Sequence, residues 1–119
     1  MPPASTLKNI LDELKRNSDV EHTTLVSRSG MHIAGEVPED AHQETYVAMS
    51  AILLGSSETA TSELHDELEY VLVELTNSRM LIQSCGPSSI LVSKLSSKGE
   101  IDETLEKAYA AIESLKQAL

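Results

Sequence analysis

The chain predicts an α+β domain in which an antiparallel sheet carries helices on both of its faces. Three observations lead there. Hydrophobic periodicity changes along the chain in the order helix, two strands, helix, three strands, helix. The strand-like runs are joined by short polar turns, which favours antiparallel hairpins over crossovers. The middle helix is apolar on two opposite sides, so it must pack against two things. With 119 residues the chain has room for one core and one domain.

Leu7, Ile10, Leu11 and Leu14 recur at helical spacing, with Ser5 or Thr6 as N-cap and Asn17-Ser18-Asp19 as the stop. Residues 22–27, rich in Thr, Val and Leu, read as a strand. Arg28-Ser29-Gly30 is the turn, with Gly30 suited to the positive φ that such hairpins require. Residues 31–35 return as a second strand with Met31, Ile33 and Gly35 on one face. Val37-Pro38-Glu39-Asp40 breaks that strand, and Asp40 or Glu39 is the expected cap of the helix over 41–64.

Stepping ~100° per residue along 41–64 puts Ala41, Ala48, Ile52, Gly55 and Thr59 on one stripe. Tyr46, Met49, Leu53 and Leu64 fall on the other side, flanked by Val47 and Leu54. Strands are expected at 69–75, 79–85 and 89–95, ended by Thr76-Asn77-Ser78, Gly86-Pro87 and the polar run after Leu95. Ile101, Leu105, Ala108, Ile112, Leu115 and Leu119 then form one clean stripe on a closing helix. Helices 1 and 3 can share one side of the sheet, which leaves helix 2 to cover the other. The small residues Ala48 and Gly55 permit close approach, so their stripe is expected to face inward. Tyr46, Val47, Met49, Leu53 and Leu54 are then expected to point out.

The strand at 69–75 carries apolar residues on both faces, Tyr70 and Leu72 against Val71, Val73 and Leu75, with charge only at Glu69 and Glu74. At a sheet edge it would be poorly guarded and open to a second chain. It follows directly on the two-sided helix, so one isologous contact can cover Tyr46, Val47, Met49, Leu53 and Leu54 together with Tyr70, Val71, Leu72 and Val73.

Composition narrows the function. Nine Lys and Arg stand against 19 Asp and Glu, a formal net charge of −10. Nucleic acid and anionic headgroups are bound mainly by neutralising phosphates, so neither partner is expected. Three Tyr with no Phe or Trp provide almost no stacking platform. The single Cys85 excludes an internal disulfide and fits a reducing compartment. No basic, apolar leader and no run of 18 apolar residues is present, so a soluble cytoplasmic protein without direct membrane insertion is expected.

Chemistry-bearing patterns are sparse. Cys85 lacks a neighbouring base in sequence and reads as a small buried apolar residue. His42-Gln43-Glu44 matches half of a zinc-deaminase signature whose cysteine half cannot exist here. His65-Asp66-Glu67 are adjacent and do not converge on one point, while His22 and His32 both lie on the first hairpin and could face each other across it, though most surface histidines bind no metal. Glycine-rich phosphate loops and Gly-x-Ser-x-Gly elbows are absent. No catalytic, cofactor-binding or metal-binding residue is assigned, and no enzyme is expected.

The helix 1 pattern, the hairpin from Leu25 to Gly35, the small-residue-rich Ala48–Gly55 helix, the three strands and the final helix resemble, in that order, the Roadblock family of dynein light chains. Members often carry an acidic residue between the hairpin Arg and Gly; here it is Ser29, which suits the turn equally well. The resemblance covers 5–119 as a single Roadblock-like domain, with 1–4 as a disordered N-terminus. It implies a five-stranded antiparallel sheet with helix 2 on one face and helices 1 and 3 on the other. It also implies homodimers, or heterodimers with a related Roadblock-like chain, formed through helix 2 and the third strand. The implied role is a non-enzymatic scaffold or regulator of a Ras-like small GTPase, with GTP hydrolysis stimulated or modulated. Arg28 and Arg79 are the candidate GTPase contacts. The competing reading is a small-molecule-sensing α+β regulatory domain with a pocket between helix and sheet.

Overall fold

The computed structural model describes residues 4–119. Residues 1–3 of the expected disordered N-terminus lie outside the described residues, and Ala4 opens the first helix. The elements are α1 (Ala4–Arg16), β1 (Val20–Ser27), β2 (His32–Gly35), α2 (Gln43–Ser62), β3 (Val71–Glu74), β4 (Ser78–Ser84), β5 (Ser89–Ser96) and α3 (Ile101–Ala118). The five strands form one antiparallel sheet in the order β2-β1-β5-β4-β3. Helix-β-β-helix-β-β-β-helix is therefore the fold, and β3 is an edge.

Strand alternation divides the core in two. On β5, Ile90 and Val92 join Val26 of β1 and Ile82 of β4 beneath Val47, Ala51 and Leu54 of α2. Leu91 faces the other way, with Leu25 and Cys85, beneath Leu7, Leu11 and Leu14 of α1 and Ile112 and Leu115 of α3. A third cluster of Val20, Leu81, Leu95 and Ala108 continues that side under α3. Burying a Leu or Ile side chain is worth roughly 1.5–3 kcal/mol, so these layers supply most of the drive to fold.

The β1–β2 turn closes as expected: Gly30 sits at φ +89° and its N–H donates to the Ser27 carbonyl at 2.9 Å. His22 and His32 do not face each other. His22 lies opposite Lys94 of β5 and His32 opposite Val26, because β2 pairs with β1 only over Thr24, Leu25 and Val26, beyond His22.

Three expectations for α2 need correction: its start, its cap and its inward stripe. The helix starts later than residue 41, because residues 38–41 form a turn in which the Ala41 N–H donates to the Pro38 carbonyl. His42 rather than Asp40 or Glu39 is the cap, its Nδ1 accepting from the Thr45 N–H at 3.3 Å. The inward stripe is also rotated. Val47, Ser50, Ala51 and Leu54 are buried, while Ile52, assigned to the inward stripe, is 58% exposed. Ser50 tolerates burial because its hydroxyl donates to the Tyr46 carbonyl at 2.7 Å within its own helix.

Candidate interaction surface

β3 pairs with β4 alone, Val71 opposite Ile82 through Glu74 opposite Arg79. Its outer backbone groups have no strand partner among the described residues. Edge strands are usually guarded by Lys, Pro, bulges or a covering element. Val-Leu-Val-Glu carries none of the first three. Val71 packs into the α2-side core and Tyr70 and Leu72 into the α3-side core, so all three are half-buried by their own protomer. Val73, opposite Met80, is half-buried too.

Beside this edge, α2 exposes Met49 (51%) and Leu53 (37%). Ala48 faces the hairpin, since a Cβ added at Gly30 would lie 3.1 Å from its Cα. Leu53, ~140° round the helix from Ala48, shares the opposite flank with Tyr46, toward β3. Burial pushes the Tyr46 phenol up to about 12, and its buried hydroxyl has no partner among the described residues. Val47 and Leu54, expected on the outward face, are 2% and 1% exposed and belong to the protomer's own core. Ile52 and Met49 form the outer apolar ridge in their place. The two stripes of α2 have similar composition, so periodicity alone could not choose between them.

The two candidate arginines are both engaged. Arg28 forks onto Glu58 of α2, one nitrogen 3.1 Å from Oε2, and donates to Ser84 Oγ at 2.8 Å. Arg79 pairs with Glu74 at 2.9 Å and donates to the Gly99 carbonyl at 2.8 Å. Ser84 and Arg79 stand near opposite ends of β4, roughly 17 Å apart along the strand. The arginines therefore do not form one constellation.

Cys85 is buried, and burial pushes its thiol up to about 11 against the weaker pull of the Lys116 charge. Among the described residues, no three His, Cys, Asp or Glu side chains converge to hold a metal ion, and no helix is long and apolar enough to cross a membrane. A concavity of about 530 Å³ is bounded by His22, Pro38, Glu39, Asp40, Ala41 and Lys94. It lies outside the α2–sheet interface, where Val26, Ile82, Ile90 and Val92 fill the floor.

Known proteins repeat this architecture. The family model of the Roadblock/LC7 domain matches residues 6–94. The uncharacterized protein MJ0714 of Methanocaldococcus jannaschii is 28% identical over 89 residues, 74% of this chain and 75% of that protein. The gliding protein MglB of Thermus thermophilus superimposes with a TM-score of 0.87 at 15% identity, over 98% of this chain and 90% of that one. An MglB solved in a tetrameric arrangement gives 0.84 at 15% identity, over 92% and 85%. The structural likenesses establish a shared fold, and the sequence pattern spans most of the chain, so this protein belongs to the Roadblock/LC7 domain family.

Proposed function

We propose that this protein is a non-enzymatic scaffold that pairs with itself or a related Roadblock-like chain and, as a pair, binds and regulates a Ras-like small GTPase. The observation that carries the reading is the bare β3 edge lying beside the exposed apolar flank of α2. Two copies joined antiparallel along β3 would satisfy its outward backbone groups, those of Leu72 and Glu74, since Val71, Val73 and Leu75 turn theirs to β4. The same contact would remove Met49 and Leu53 from water. Tyr46 and Tyr70 border that contact, while Val47 and Leu54 hold α2 to the sheet from beneath. The tetrameric arrangement of one MglB is consistent with self-association in this fold.

Family membership supports the GTPase as partner. An inserted arginine is not the favoured means of regulation, because Arg28 and Arg79 would each have to leave a carboxylate first. Holding the GTPase's own switch segments in one arrangement needs no such release. The test is co-elution of the purified chain with small GTPases from the same genome, loaded with GDP or a non-hydrolysable GTP analogue. Nucleotide-dependent co-elution of one of them is expected. A chain that binds none of them in either state overturns the partner assignment.

A further inference from the structure

We propose that the Arg28–Glu58 bridge is a latch that holds the C-terminal half of α2 against the sheet and that a competing charge can open. The latch does not depend on whether the chains pair. All the buried side chains of α2 lie in its first twelve residues, ending at Leu54. From Gly55 to Ser62 the sequence is Gly-Ser-Ser-Glu-Thr-Ala-Thr-Ser, in which only Glu58 and Ala60 are good helix formers. The hydroxyls of Ser56, Thr59, Thr61 and Ser62 turn back to carbonyls of their own helix, at 2.7–3.1 Å, and tie it to nothing else. Such back-bonding bends helices more readily than it stiffens them.

Glu58 continues the buried stripe of Val47, Ala51 and Leu54, so a carboxylate faces the sheet where the next apolar residue would stand. Arg28, projecting from the hairpin turn, meets it with both terminal nitrogens and spans to Ser84 on β4. Among the described residues, these are the only side-chain hydrogen bonds from residues 55–62 to any other element. One planar fork thus joins hairpin, helix and β4, a geometry that Arg provides and Lys does not. Both side chains keep about a third of their surface in solvent, 30% and 36%, so another charge can reach them. Past Ser62 the chain stays hung on this segment: the Leu64 and His65 N–H groups donate to the Thr61 and Ser62 carbonyls. The latch therefore also steadies the approach to β3.

Amide hydrogen exchange on the full chain tests the proposal through Arg28→Ala, Glu58→Gln and the charge swap Arg28→Glu with Glu58→Arg. Each single change is expected to speed exchange over residues 57–65 roughly tenfold, while 46–54, α1 and α3 stay within about twofold. The swap should return 57–65 toward the wild-type rate. Raising sodium chloride to 1 M should speed the same window in the wild type but not in the single variants, since chloride competes for Arg28 and screening is strong. Exchange over 57–65 that is unchanged in both single variants, or accelerated equally in every element, overturns the latch. Glu58→Gln preserves side-chain size, so the outcome does not hang on a variant that fails to fold.

Discussion

Gly35 and Gly55 answer the same substitution in opposite directions. Gly35 sits at φ +84°, and a Cβ there would meet the Thr23 carbonyl oxygen at 2.2 Å and Leu11 Cδ1 at 2.9 Å. Gly35→Ala should cost more than about 2 kcal/mol in a urea titration, since it adds a backbone clash to a disfavoured φ. Gly55 lies in α2 with nothing within 4 Å of a Cβ, so Gly55→Ala should add about 0.5–1 kcal/mol by helix propensity. Cys85 provides a pH test. Its folded-state pKa of about 11 lies above the ordinary 9.0, so the folded state holds the thiol proton more tightly. That contribution is complete below pH 9 and is lost as pH rises toward 11. Native protein at pH 8 should resist iodoacetamide, urea-unfolded protein should react readily, and the urea midpoint should fall between pH 9 and 11. Cys85→Ala should flatten part of that fall; Tyr46, raised from 10.0 to about 12, accounts for more of it at the upper end.

Among the elements, α2 separates stability from assembly in neighbouring residues. Leu54 is buried over Ile82 and Ile90, and Leu54→Ala should cost about 2–5 kcal/mol of folding stability. Leu53 is 37% exposed, and Leu53→Glu should leave the protomer's fold in place while weakening self-association. Circular dichroism melts and sedimentation of both variants distinguish the two effects. The eight elements are legible in the sequence because each has a regular period and a turn or cap beside it, as at Arg28-Ser29-Gly30 and Gly86-Pro87. Which side of α2 faces the sheet is not legible there. Both stripes hold apolar and small residues, and the buried one continues into Glu58, which reads as a solvated charge until Arg28 is seen folded onto it. The edge position of β3 is not legible there either, because apolar residues on both faces suit a central strand as well as an unguarded edge, and only the sheet order decides it.

At the scale of the whole molecule, the sheet's two edges differ. β2 is steadied by α1, with Lys15 reaching Glu36 at 3.5 Å, and the His32 ring is hydrogen-bonded to the Gly35 carbonyl at 2.8 Å. β3 has no comparable guard, and its bare backbone meets the exposed flank of α2. That asymmetry makes a closed pair the expected assembly, since β3 edges can pair once and then no bare edge of that kind remains. Light scattering after size-exclusion chromatography, on the wild type and on Val73→Lys at micromolar concentration, tests this most directly. The account predicts about twice 12.9 kDa for the wild type and a shift toward 12.9 kDa for Val73→Lys with the far-ultraviolet spectrum unchanged. A wild-type mass of 12.9 kDa, or a doubled mass indifferent to the lysine, would contradict it.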